Sequence, residues 1–150
     1  GDMGPMLAGL SPLLPDGVVT SFVSQGSTSD VTLKDGAIKG GGTPTSVGQR
    51  DKLDAPVAVL TSQTTASSGE QALLAFRGLD RTRVFGQATA GYASVNQSFP
   101  LYTGRTMVLT TGTSQARTGE QFGEEPIAPD VETPPEQAPA AAAEWLDSQS

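Results

Sequence analysis

Cysteine and histidine are both absent from the 150-residue chain, and each absence removes a chemistry. Without cysteine there is no disulfide framework, no thiolate nucleophile and no cysteine-type zinc site, and the redox compartment is not legible. Without histidine the commonest general base near neutral pH is missing. Hydrolysis run by these residues alone must then use lysine, a carboxylate, or a group from another segment. Aromatic residues are only 5% of the chain, and 9 basic residues face 16 acidic ones for a formal net charge of −7. That balance repels nucleic acid and anionic lipid. No apolar run approaches the roughly 18 residues that span a bilayer, so no membrane span is expected. The opening GDMGPMLAGLSPLL lacks the basic start of a signal peptide. It reads instead as a loop entering an amphipathic segment inside a longer protein, and an upstream part is expected.

The length suits one domain, and 18 glycines with 11 prolines make it rich in turns. Met3, Met6, Leu7, Leu10, Leu13 and Leu14 recur at spacings of three and four, which predicts a short helix ending near Pro15. GVVTSFV from Gly17 to Val23 reads as a strand, and Asp35-Gly36 between two extended runs is a hairpin signal. Gly40 to Asp54 reads as an exposed loop. PVAVLT from Pro56 to Thr61 is a continuous apolar run of the kind a strand buried on both faces shows. The following SQTTASSGEQALLAFRGL is a small-residue loop and then a helix with Ala72, Leu73, Ala75, Phe76 and Leu79 on its apolar face. A short strand over Arg83 to Gly86 and two strands joined at Tyr102 to Arg105 come next. TPPEQAP reads as a linker, and AAAAEWLDSQS as a terminal helix docking through Trp145 and Leu146. Short strands followed by helices indicate a mixed α/β fold.

Chemistry concentrates in Thr64-Thr65-Ala66-Ser67-Ser68-Gly69-Glu70, between a strand and a helix. A serine hydroxyl there lies beside free backbone N–H groups and the positive end of the helix dipole, which favour developing negative charge. Ser67 is therefore a candidate acyl-transfer nucleophile, with the Ser68 N–H as an oxyanion donor. The same residues also match a capping box, Ser67 at the N-cap and Glu70 three positions on. Pattern alone leaves both readings open. Gly40-Gly41-Gly42 lacks the residue order of a phosphate loop, and Glu120, Glu124, Glu125, Asp130 and Glu132 lack calcium-loop spacing. No metal and no cofactor is implied.

PVAVLTSQTTASSGEQALLAF resembles the nucleophile segment of the C-terminal processing, or tail-specific, serine peptidases, in which a strand leads into T/S-A-S-x-x-E and a helix. VFGQATAGYASVNQSFPLYTGRTMVLTTG is similar to that family's G-E-x-T-x-G block and following strand pair, and Pro126 to Val131 resembles its closing G-V-x-P-D-x-x-V. The opening resembles the helix after the family's D-L-R-G-N-x-G-G loop, with Gly1 near that loop's last glycine. The resemblance implies Ser67 as nucleophile, the Ser68 N–H as one oxyanion donor and Gly1 as what remains of the second. In the lysine-dependent branch the base directly follows the glycine of G-E-x-T-x-G, and Tyr92 stands at that place. A phenol with an ordinary pKa near 10 is a poor base at neutral pH, which excludes a Ser-Lys dyad there. Lys34, Lys39 and Lys52 lie in hairpin or loop segments without motif support.

Tyr92 is instead similar to the branch containing the tricorn protease core and interphotoreceptor retinoid-binding protein. There an upstream histidine is the base, supported by a glutamate shortly before G-V-x-P-D, for which Glu125 is favoured over Glu124. Both glutamates also read as solvated surface carboxylates, and Tyr92 as a packed ring with a locally bonded hydroxyl. The resemblance implies a crotonase or Clp-protease-like β-β-α core over residues 1–133, with residues 134–150 as a linker and terminal helix. It implies a serine peptidase acting on peptide or protein substrates, incomplete and inactive alone, whose general base comes from an upstream segment or a second chain. A non-catalytic domain binding a peptide or hydrophobic ligand on the same fold is the alternative. An extracytoplasmic bacterial setting is expected.

Overall fold

Asp2 starts the fold by accepting the Gly4 N–H at 3.0 Å, which caps helix α1 over Met3–Gly9. The computed structural model describes residues 1–149. The apolar spacing predicts a helix running toward Leu14, but α1 stops at Gly9 and a 3-10 turn over Ser11–Leu13 replaces its last part. Pro12 has no N–H to continue the α-helical ladder. Lys52 then fastens this turn: its ammonium donates to the carbonyls of Ser11 at 3.0 Å and Leu14 at 2.9 Å and pairs with Asp16.

Strands β1 (Gly17–Ser24), β2 (Ser27–Lys34) and β3 (Ala37–Lys39) form an antiparallel meander, and β4 (Thr45–Ser46) adds a short edge inside the predicted loop. Asp35 and Gly36 turn β2 into β3 with φ of 49° and 76°, the paired positive values that a tight hairpin requires. β7 (Ser94–Pro100) and β8 (Thr106–Ala116) form the second predicted hairpin, and β8 pairs with β1. This sheet has the order β4-β3-β2-β1-β8-β7, with β9 (Gln121–Phe122) also on β8.

A separate parallel sheet has the order β10-β6-β5, from β5 (Val57–Thr61), β6 (Thr82–Gly86) and β10 (Val131–Glu132). Helix α2 (Ser68–Phe76) connects β5 to β6. Leu73, Leu74, Ala75 and Phe76 of α2 pack between the two sheets, Ala75 and Phe76 with Leu7, Val19 and Leu33, and Leu73 and Leu74 with Val84, Ala116 and Ile127. Helix α3 (Ala138–Asp147) covers the other face of the parallel sheet, where Ala138, Ala142 and Trp145 meet Phe85. The Trp145 and Phe85 rings lie 5.8 Å apart. Among the described residues no helix is long and apolar enough to cross a membrane.

The expectation that β5 is buried on both faces is not met. β5 is an edge strand of its sheet, and Leu60 is 49% exposed. Val57 and Val59 pack toward α1 and α2 and Ala58 toward α3, but no strand among the described residues pairs with the outer edge. An apolar run in a parallel sheet therefore marks a strand without telling whether it is central.

Arg77, just past α2, clamps the β8–β9 turn through two hydrogen bonds of 2.8 Å to the Glu120 carboxylate, with its guanidinium 5.2 Å from the centre of the Phe122 ring. The Arg77 and Thr118 hydrogen bonds hold the Glu120 carboxyl down at about 2. A depressed carboxyl contributes stability that is complete above its ordinary range and lost as pH falls toward about 2. Glu120 is half exposed, so screening limits the pair to about 0.5 kcal/mol. Glu120→Gln is expected to lower the thermal midpoint slightly at pH 7, and the gap from the parent should close on acidification below pH ~4; a gap that is constant with pH would assign the effect to packing.

Candidate active site

The loop between β5 and α2 is held at both ends. Thr61 Oγ1 donates to the Gln87 carbonyl at 2.8 Å, Ser62 and Thr65 exchange hydrogen bonds, and the Ala90 N–H reaches the Thr65 carbonyl at 2.9 Å. The loop ends at Ser67, which is exposed and has φ 52° and ψ −115°. A β-substituted residue is costly in that region, at roughly 1–3 kcal/mol, and persists only where its surroundings enforce it. The enforcing group is Glu70.

Glu70 is fully buried, and its carboxylate accepts four hydrogen bonds. Oε2 takes the Ser67 N–H at 2.8 Å and the Tyr92 N–H at 2.9 Å; Oε1 takes the Gly91 N–H at 2.9 Å and the Thr89 hydroxyl. Thr89 Oγ1 in turn accepts the Ile127 N–H at 2.9 Å. One carboxylate thereby joins the serine loop, the loop over residues 89–92 and the segment entering β10.

The capping reading is met: Ser67 stands at the N-cap of α2, Glu70 accepts its N–H at 2.8 Å, and the Glu70 N–H faces Ser67 Oγ to complete a capping box. Because that return contact is not a well-formed hydrogen bond, the N-cap position and an exposed serine coexist.

Gly1, Ser67, Ser68 and Tyr92 line one open cleft of about 190 Å³, together with Gln71 and the first residues of β7. Ser68 is the first residue of α2, and its N–H has no partner among the described residues, as at any helix start. A Cβ placed on Gly1 would lie 2.8 Å from Ser68 Oγ, so Gly1 adjoins this helix end. The Tyr92 side chain is 64% exposed, and its hydroxyl makes no hydrogen bond among the described residues. The reading of Tyr92 as a packed ring is corrected: its backbone N–H is anchored on Glu70 while the ring is left outside.

Glu124 and Glu125 are not brought to the serine. Both are exposed, neither makes an ion pair or hydrogen bond among the described residues, and neither lines the cleft. Their backbone packs on Gly91, whose φ is +82° and where a Cβ would sit 2.7 Å from the Glu124 carbonyl. Lys52 is committed to the turn after α1, and Lys34 and Lys39 lie on the β2–β3 hairpin. The described residues thus assemble a serine, a free N–H and a helix dipole, without a base beside them. Sequence reasoning placed Glu70 in a capping pattern but missed its hold on Thr89, Gly91 and Tyr92, which only folding brings near.

Residues 1–133 match the family model described as peptidase family S41. The chain is 41% identical over 151 residues to a nisin-resistance protein of Lactococcus lactis subsp. lactis, a match covering 99% of this chain and 47% of that protein. A lipoprotein from Streptococcus agalactiae superposes with a TM-score of 0.78 at 32% identity, over 100% of this chain and 51% of that one. The photosystem II D1 C-terminal processing protease shares the fold, with a TM-score of 0.66 at 22% identity over 88% of this chain and 31% of that one. The chain spans about half the length of the curated relative it matches.

Replacing Glu70 tests the organisation of the cleft. Glu70→Ala leaves four buried or half-buried donors unpaired and is expected to cost about 3–5 kcal/mol; Glu70→Gln, which turns an NH₂ toward N–H donors, about 2 kcal/mol or more. Urea midpoints at unchanged slope measure both. A cost below about 1 kcal/mol for Glu70→Ala would show that the carboxylate does not organise these segments.

Proposed function

The chain belongs to peptidase family S41, and on that premise we propose that Ser67 is the nucleophile of a serine peptidase whose core this chain completes. The observation that carries the reading is Ser67 itself: an exposed hydroxyl on a backbone held at positive φ, one residue before the unpartnered N–H of Ser68. In the reaction Ser67 Oγ attacks the peptide carbonyl and loses its proton to a general base. The oxyanion forms against the Ser68 N–H and the backbone of the Gly1 segment. The base returns the proton to the leaving amine, and water then releases the acyl group from Ser67. The base is supplied from outside these 150 residues, by an upstream segment or a second chain, because the chain has no histidine and its lysines lie elsewhere. Glu125 is the candidate supporting carboxylate, with Glu124 beside it, in the completed enzyme. By itself the chain is expected to be inactive.

Peptides or proteins are the substrate class that the family implies. The likeness to a nisin-resistance protein makes nisin the first substrate to try, and the likeness to a lipoprotein supports a cell-envelope setting. The alternative is a non-catalytic domain that binds a peptide or hydrophobic ligand on the same fold, with which the lack of a base beside Ser67 among the described residues is compatible.

A fluorophosphonate probe on the full-length protein is expected to label Ser67, as mapped by peptide mass, and Ser67→Ala should abolish both labelling and nisin cleavage, at least about a thousandfold in rate. Labelling that survives Ser67→Ala, or no labelling of the full-length protein, would overturn the assignment in favour of binding.

A further inference from the structure

The two sides of the oxyanion site belong to different parts of the fold: the Ser68 N–H starts α2, whereas Gly1 precedes α1. Gly1 lies against Ser68, a Cβ on it falling 2.8 Å from Ser68 Oγ, yet among the described residues no hydrogen bond joins the two. The contacts that hold this end of the chain run through Asp2. Asp2 Oδ1 accepts two hydrogen bonds, from the Gly4 N–H at 3.0 Å and from the Thr43 N–H at 3.3 Å. The first caps α1; the second crosses to the loop between β3 and β4, and a helix cap does not require it. Thr43 first, and then Gly4, hold the Asp2 carboxyl below its ordinary range, and an ionised acceptor strengthens both bonds.

Asp2 is exposed, so close packing has to reinforce the link. A Cβ on Gly4 would overlap the Thr43 carbonyl, and one on Gly42 would sit 2.8 Å from Asp2 Oδ1. The helix start and the loop therefore meet backbone to backbone. The loop is in turn seated on the antiparallel sheet, with Gly40 against the backbone of Asp30 and Val31, and Gly41 against the side chains of Val31, Phe22 and Met3. Gly1, Met3, Phe22 and Gly41 all line the cleft that holds Ser67.

We propose that Asp2 is a positioning residue for the reaction at Ser67: its bridge to Thr43 ties the Gly1 backbone to the antiparallel sheet and so sets the spacing between the two sides of the oxyanion site. The inference rests on Ser67 being the nucleophile and on the Gly1 segment facing the oxyanion. Without the bridge α1 stays packed through Leu7 and Ala8, but the residue before it is freed. Misplaced oxyanion donors slow the chemical step and leave encounter with substrate unchanged.

The test is saturation kinetics of fluorophosphonate labelling in the full-length protein, where Ser67 Oγ displaces fluoride from phosphorus and the phosphoryl oxygen takes the oxyanion position. Asp2→Ser keeps a good N-cap, but its shorter side chain gives up Thr43. Gly4→Ala keeps Asp2 and suits a helix, but pushes the loop away. Each is expected to lower the maximal labelling rate roughly tenfold to a hundredfold, with the half-saturating probe concentration within about threefold of the parent. Asp2→Asn, which retains an acceptor oxygen, should keep the maximal rate within about threefold. A parental maximal rate in Asp2→Ser would reduce the residue to a helix cap and overturn the inference; if that variant does not fold, a parental rate in Gly4→Ala overturns it equally. A loss confined to the half-saturating concentration, or one as large in Asp2→Asn as in Asp2→Ser, would also overturn it. These outcomes sink the positioning role alone, because the parent still labels. A parent that does not label at Ser67 would sink the nucleophile and, with it, the positioning role.

Discussion

The Glu70 carboxylate is the interaction on which the arrangement of this molecule depends. It is completely buried, and among the described residues no arginine or lysine pairs with it; its partners are three backbone N–H groups and one hydroxyl. Oriented dipoles thus replace water around a charged group, helped by its place in the first turn of α2 where the helix dipole favours an anion. Each of the four donors comes from a different residue, and those residues lie in segments that the chain separates by some twenty positions. The carboxylate makes their relative position a single structural fact. The backbones of Ser67, Gly91 and Tyr92 are all tied to that one carboxylate, and Gly91 also lies against the 124–126 backbone.

Around that centre the architecture follows a general rule for parallel sheets, that functional groups gather beyond the carboxyl ends of the strands. β5 ends at Thr61, six residues before the serine, and α2 begins immediately after it, so strand end and helix start converge on the cleft. The antiparallel sheet supplies the opposite wall through the start of β7. The two sheets are joined by α2, whose buried face contributes Leu73, Leu74, Ala75 and Phe76. The same helix therefore carries the core contacts, the cap geometry and the residues lining the site, and its packing limits how far any of them can move.

Much of this was legible from residue order. Local signals located α2, the Asp35-Gly36 turn, the β7–β8 hairpin and the docking of Trp145, because turn chemistry and helical periodicity act over a few residues. The family motifs located Ser67, Ser68, Gly1 and Tyr92, and folding does bring these four into one cleft. The burial of β5 was misjudged because an apolar run reports that a strand is apolar, not which neighbours flank it. The exposed ring of Tyr92 is not legible in the sequence, since ring burial depends on what passes overhead. Gln71 carried no signal, because a glutamine in a helix reads as surface until a serine 43 residues away is shown to hold its amide.

The sequence by itself determined which chemistries are open to these residues: no thiolate, no histidine base, and a candidate serine, Ser67, beside Ser68 at a strand-to-helix junction. Those conclusions need only composition and short-range pattern. The tertiary structure alone decided how that serine is presented, because its conformation is imposed by a carboxylate whose other partners are more than fifteen residues away. It also decided that Glu124 and Glu125 are exposed and outside the cleft lining, and that one buried amide oxygen is left without a donor among the described residues. Hydrogen-bond satisfaction is a property of the three-dimensional surroundings, and no local stretch of sequence specifies it.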